Sequence, residues 1–370
     1  MGPTVVYINH RNLQHNVNLI RRAVGQKKIM AVVKANAYGH GDVEVARTAL
    51  QSGCEYLGVS FAEEGIRLRQ AKITAPILVF GAHLNNCLAQ AIRYNLEVTV
   101  TADSQISYLK KISEQLRVKI PVHLKIDTGM NRVGYHYENF ERGLSAILGS
   151  RYLQLNGGYS HFSTAEDANP AFARLQIKRF DLVRSYIRQQ VKDKILFHMA
   201  NSGAIMKFPQ AYYDMVRPGI MLYGCLPTPR FSCSWRLKEI MSLESKLSLI
   251  KLVRKNESIS YGRRYTTEED THIGIIPIGY ADGFSRQNTN QAEVLIKDKR
   301  YPLVGTVCMD MVMVNLGKKI NCKIGDKVVI YGQNGRNSML INEVADRLKT
   351  IAYEITCSVS PRVPRIHLYA

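Results

Sequence analysis

The stretch IMAVVKANAYGHG, Ile29 to Gly41, puts a buried strand, a lysine and a tight turn into thirteen residues. Ile29 to Val33 is continuously apolar and partly β-branched, the pattern of a strand covered on both faces. Lys34 ends it, and small residues, Tyr38 and two glycines follow. Two readings of Lys34 are open: a side chain reaching to solvent at a strand end, or a reactive amine at the place where α/β folds carry their chemistry.

The same rhythm repeats downstream. Apolar strands are expected at Tyr56 to Ser60, Ile77 to Phe80, Val98 to Thr101, Ile120 to Ile126, Leu153 to Ser160, Ile195 to Met199 and Tyr213 to Val216, with helical patterns between them. Val43, Ala46, Ala49 and Leu50 make one helix face, Ile106, Leu109, Ile112 and Leu116 another, and Phe180, Val183 and Ile187 a third. Eight strands within about 225 residues fit an α/β chain folded as a (β/α)8 TIM-type barrel. A doubly wound open sheet is the second architecture, although no GxGxxG follows any strand.

A barrel should collect polar groups just after its strands. Lys34, then Lys125, Asp127 and Arg132, then Ser160 and His161, then Asn201 and Ser202, then Arg217 to Gly219 all stand at such positions. Taken singly, His161 reads equally as a satisfied core histidine and Asp127 as a cap for the TGMNR turn. Five strand ends bearing such groups favour a site.

Beyond Trp235 strand-like alternation takes over, at Ser245 to Val253, His272 to Ile278, Val294 to Lys297, Leu303 to Val314 and Lys327 to Tyr331. One helix is expected there, with Ile341, Val344, Ala345 and Leu348 on a face. The division expected is a barrel over residues 10–235 and a mostly β domain over 236–370, joined near Pro227 and Pro229. Residues 1–9 go with the second domain, because TVVYI is strand-like.

Fifty basic and thirty acidic residues give a formal net charge of +20. The charge is dispersed and does not alternate with aromatics, so it reads first as a solvated surface and second as an attraction for anionic small molecules, not as a nucleic-acid interface. Seven cysteines without a CxxC pair suggest reduced thiols and a cytoplasmic protein. No signal peptide, metal-ligand spacing or apolar run of the ~20 residues needed to span a bilayer is evident.

The segments VVKANAYGHG, HLKIDTGMNRVG, YSHFSTAE, MANSGAI, VRPGIMLYG, ISYGRRYT, PIGYADGF, GTVCMDM and AYEITC occur in the order found in bacterial alanine racemases. The chain resembles that family over nearly its whole length. The resemblance implies a pyridoxal 5'-phosphate enzyme, a homodimer whose two active sites are shared between subunits, alanine as substrate and D-alanine for peptidoglycan as product.

Residue by residue, Lys34 matches the lysine that holds the cofactor as a Schiff base and serves as one base. Tyr261 matches the second base, supplied by the other subunit. A tyrosine starts near pKa ~10 and needs help to act as a base. His161 and Arg217 match the relay that supplies it. Arg217 also matches the residue facing the pyridine nitrogen, where a guanidinium donates but hardly surrenders its proton, leaving the ring a weaker electron sink. Tyr38, Ser202, Gly219, Ile220 and Tyr353 match the cofactor's phosphate site. Arg132, Met309, Asp310 and Tyr280 match the substrate end, and Lys125 matches a lysine that is often carbamylated.

Three rivals remain. A pyridoxal-phosphate carrier would lack the second domain and Tyr261. A nucleic-acid binder would draw on the charge. A broader-specificity racemase or a decarboxylase would share the fold.

Overall fold

The computed structural model describes residues 2–81, 85–334 and 337–369. Its first large unit is a ring of parallel strands: β1 (Lys28–Val32), β2 (Tyr56–Val59), β3 (Ile77–Val79), β4 (Glu97–Val100), β5 (Ile120–Asp127), β6 (Leu153–Tyr159), β7 (Leu196–His198) and β8 (Met215–Val216). Each pairs with the next in the chain. β8 returns to β1 through Met215↔Lys28 and Val216↔Ile29, which closes the barrel and rules out an open sheet with two free edges. The strands fall on the apolar runs because buried parallel strands are written as such runs.

Alternate residues of these strands face opposite ways. Met30, Tyr56, Leu78, Tyr159 and Met215 form their own cluster inside the ring. Ile29, Ala31, Leu57, Ile77 and Val79 belong to the larger core between strands and helices. The helices Asp42–Gln51, Asp103–Leu116 and Ala171–Gln190 follow the expected spacing, and Phe180, Val183 and Ile187 are all buried.

Val5–Asn9 does not join the barrel. It lies antiparallel to Met241–Lys246 and parallel to Arg365–Leu368, inside the principal sheet of the carboxyl-terminal half. Met1 lies outside the described residues. A smaller sheet joins Leu249–Val253, Thr271–Ile276 and Val312–Gly317.

Three expectations for this half need correction. Ser245 to Val253 is not one strand, since Met241–Lys246 and Leu249–Val253 belong to different sheets. Leu303 to Val314 is not one either: Leu303 makes only an isolated bridge with Val314, and the regular strand is Val312–Gly317. The intervening residues form a loop around Gly305, whose φ of +78° interrupts any strand. A second helix, Ala352–Cys357, accompanies Ile341–Arg347. Six residues show too little periodicity to be seen in sequence.

This second helix carries Tyr353 to the barrel mouth. It packs on the turn after β1, where Gly39 has φ +85° and a Cβ would meet the Thr356 carbonyl oxygen at 2.2 Å. The turn itself, Lys34–Tyr38, is left-handed: Ala35, Asn36, Ala37 and Tyr38 all have φ near +52°. Left-handed backbone costs ~1–2 kcal/mol per L-residue, so the surroundings must impose it. Glu64 accepts the Ala35 N–H at 2.6 Å and Asn36 Oδ1 accepts the Asp42 N–H at 3.1 Å. Gly39→Ala is expected to destabilise the protein by roughly 1–3 kcal/mol, seen as a lowered denaturant midpoint, through positive φ and the closed approach.

Candidate active site

A cavity of about 280 Å³ opens at the carboxyl ends of the barrel strands. Lys34, Lys125, Arg132, His161 and Arg217 line it, as do Tyr38, Ser202, Gly219 and Tyr353. With Asn201, ten residues singled out from the sequence are therefore brought together from several strand ends and from the helix Ala352–Cys357. Ile220 is buried and lies outside the lining.

Lys34 is separated from the end of β1 by Val33 alone. Burial, reinforced by the Arg132 guanidinium, lowers its pKa from the ordinary lysine value, against the pull of Glu64. That favours the neutral, nucleophilic amine. Arg132 is placed by a loop that folds back over β5. Asp127 Oδ1 accepts the N–H groups of Gly129 and Asn131, so Asp127 serves as the cap of that turn. At Gly134, φ +113°, a Cβ would strike Lys125.

Arg217 is buried after β8 and donates in several directions. Its Nη2 reaches Ser160 O at 2.7 Å, Met199 O at 3.1 Å and His161 Nδ1 at 3.2 Å, and its Nη1 reaches His198 Nδ1 at 2.7 Å. Burial pulls its pKa to about 10, which leaves it cationic at neutral pH. His161 is pushed well below the usual imidazole value, first by burial and then by Arg217, Lys125, Arg132 and Lys34. A neutral His161 accepting at Nδ1 carries its proton on Nε2.

Beside them, after β7, β8 and the turn that follows β1, lies a small polar cradle. Ser202 Oγ accepts the N–H of Gly219 at 2.9 Å and of Met221 at 3.4 Å, which leaves its own proton to donate. A Cβ at Gly219 would sit 2.7 Å from the Tyr38 hydroxyl, so only glycine keeps this wall open. Burial raises the pKa of the Tyr38 and Tyr353 phenols, which keeps both as hydrogen-bond donors. Such donors around a bare backbone suit an anionic group.

Tyr159 was not singled out from the sequence. Its ring stacks on His198 at 4.8 Å and lies under both Arg217 and Lys125, at 5.1 and 5.3 Å. The available signal was polar residues inside apolar barrel strands: Glu97, His123, Tyr159 and His198 all occupy such positions.

Tyr261, Tyr280, Met309 and Asp310 do not line this cavity. They form a separate platform on the second half. Tyr261 is 71 % exposed, on a turn whose carbonyl accepts from Thr306 Oγ1 at 2.6 Å. Tyr280 and Ala281 donate their N–H groups to the carbonyls of Cys308 and Met309, an approach so close that a Cβ on Gly279 would lie 2.2 Å from Met309 O. Arg362 ties Asp310 to Asp282.

A closed barrel whose strand ends gather a lysine of lowered pKa, a buried guanidinium and a polar cradle, joined to a mostly β domain with an exposed tyrosine, places the chain among two-domain barrel enzymes. Comparison gives the family. The alanine racemase N-terminal domain family matches residues 8–227 and the alanine racemase C-terminal domain family matches residues 240–367. The alanine racemase of Carboxydothermus hydrogenoformans is 39% identical over 372 residues, covering 100% of both chains. A solved alanine racemase from Clostridium difficile 630 superposes with a TM-score of 0.93 at 36% identity, covering 100% of this chain and 96% of that one. Another, from Bartonella henselae with covalently bound pyridoxal phosphate, gives 0.89 at 25% identity, covering 100% of each. The chain belongs to the alanine racemase family.

Lys125 supplies a pH test. Burial, with the guanidiniums of Arg217 and Arg132, pulls its pKa down to about 7 against Asp127. Above that value, up to the ordinary lysine range, the unfolded chain binds a proton that the folded one lacks, so stability rises with pH. In carbonate-free buffer, denaturant titrations should show the protein gaining on Lys125→Met between about pH 7 and 10. A constant difference would mean an ordinary ammonium.

Proposed function

We propose that the chain interconverts L-alanine and D-alanine as a homodimer, with pyridoxal 5'-phosphate held at the barrel mouth. The observation that carries this reading is Lys34, its amine eased towards neutrality, in one cavity with the Arg217 guanidinium and the Tyr38, Ser202 and Gly219 cradle. The residues fit the cofactor: the cradle suits a phosphate, Arg217 a pyridine nitrogen and Lys34 a carbonyl carbon. When bound, the cofactor supplies the electron sink that makes a Cα proton acidic.

The chain's own groups then do the rest. Lys34 Nζ takes or returns the proton on one side of Cα. On the other side acts Tyr261 of the partner subunit, since this chain's own Tyr261 stands apart from the cavity. His161, accepting from Arg217 at Nδ1, keeps its Nε2 proton for the phenol and so favours the phenolate. Arg132 binds the substrate carboxylate. Met309, Asp310 and Tyr280 of the partner subunit narrow the entrance to a small side chain.

Lys125 is a candidate for carbamylation, because only a neutral amine adds carbon dioxide and its pKa is held at about 7. Residues 10–235 make the cofactor domain, and 236–370 with 1–9 make the domain that serves the partner. No helix among the described residues is long and apolar enough to cross a membrane, in keeping with a cytoplasmic enzyme supplying D-alanine for peptidoglycan.

Incubation with L-alanine or L-serine in deuterated water tests the reaction. Inverted alanine carrying Cα deuterium is expected, with serine turned over far more slowly. Exchange with retained chirality would remove the two-base reading, and equal rates would mark a broader racemase. Mixing inactive Lys34→Ala and Tyr261→Phe subunits should restore about a quarter of the parental activity, since half the dimers are hybrid and each hybrid holds one intact site. No recovery would exclude shared sites.

A further inference from the structure

The barrel interior holds a run of hydrogen bonds with only one possible direction. Arg217 has donors and no acceptor, so His198 Nδ1, 2.7 Å from Nη1, must offer its lone pair. Burial and Arg217 keep His198 neutral, which puts its proton on Nε2. That nitrogen lies 3.0 Å from His123 Nδ1, which must accept in turn. His123 therefore carries a proton on Nε2, 2.7 Å from Glu97 Oε2. The other carboxylate oxygen, Oε1, takes a hydrogen bond from Asn156 at 3.1 Å.

The run crosses the barrel from end to end. Glu97 opens β4 at the amino-terminal side and Arg217 follows β8 at the carboxyl-terminal side. Both imidazoles are fully buried and Glu97 is 7 % exposed. Room for the central link is built into the backbone: a Cβ at Gly157 would lie 2.2 Å from His123 Nδ1. Tyr159 stacks on His198 and fixes its plane.

A carboxylate buried so deep at the non-catalytic end of a barrel needs a partner, and so does the buried guanidinium at the other end. Arg217 itself bonds to carbonyls and imidazoles. We propose that Glu97 is a positioning residue for Arg217. Through His123 and His198 its carboxylate fixes both rings as Nε2–H tautomers and holds the guanidinium in one donating orientation. The role towards a pyridine nitrogen rests on the proposed cofactor reading, whereas the proton placement does not. Arg69 and Tyr56 are the other titrating groups that feel Glu97.

Neutron diffraction from the deuterated holoenzyme reads the protons directly. Deuterium on Nε2 of both His123 and His198, with Nδ1 of each bare, is the expected result. Deuterium on either Nδ1, or on Glu97, would overturn the proposal even if the protein racemises alanine normally. Glu97→Gln keeps shape and removes charge. It should lower kcat about 10–100-fold, the usual effect of disturbing a supporting hydrogen-bond partner, and leave the KM for alanine nearly unmoved. In an Arg217→Lys background the same substitution should cost almost nothing further. Full loss in both backgrounds would mark Glu97 as a general packing residue, and an unchanged kcat would also overturn its role. A parent without racemase activity would sink the functional reading while leaving the proton map decisive for this one.

Discussion

A guanidinium withdrawn from water inside a protein must find acceptors on every side, and Arg217, at the end of its own strand, finds them at the ends of the two strands before it. Ser160 follows β6, Met199 follows β7 and Arg217 itself follows β8, so one side chain stitches the rim where the cavity lies. Desolvating such a charge costs several kcal/mol before those bonds are made. The charge then acts on its neighbours. It helps hold His161 and His198 in their neutral forms and draws the pKa of Lys125 down, and thereby decides which imidazole atoms at the mouth can accept and which can donate.

Two kinds of rigidity frame this centre. From below, the interior hydrogen bonds remove rotational choice from the imidazoles. From the side, the left-handed turn after β1 is locked by Glu64, Asn36 and the close seat of Gly39 on Thr356. Strained backbone of this sort persists only where its surroundings over-determine it. The tyrosine platform is tied just as firmly, with Gly279 pressed on the Cys308–Met309 backbone and Arg362 spanning two aspartates.

The barrel was legible because buried parallel strands and amphipathic helices leave strong periodic marks, and strand ends such as Lys34 and Arg217 mark chemistry by position. What escaped had no periodic mark. Leu303 to Val314 has the composition of a strand, yet Gly305 and the N–H groups of Val307 and Cys308, which bond to Thr289 Oγ1 and the Met311 carbonyl, make it a loop. Ala352–Cys357 is too short to show a face. The left-handed run Ala35 to Tyr38 is braced by Glu64 and by the seat of Gly39 on Thr356, contacts that no local propensity encodes. Glu97, His123 and His198 are visible only as polar letters inside apolar strands, and only closing the barrel shows that they touch. The platform residues were recognisable through their motifs, but that Tyr261, Tyr280, Met309 and Asp310 share one exposed face depends on pairings between distant loops.

Val5–Asn9 sits between Met241–Lys246 and Arg365–Leu368, so the earliest strand of the chain is completed by nearly the latest. During synthesis at ~5–20 residues per second, Val6 and Ile8 wait roughly 10–50 s for their first neighbour while the intervening barrel emerges. Over that interval an apolar strand edge is available to any passing chain, including a second nascent copy. The finished sheet thus inherits a period of vulnerability that its final stability does not reveal.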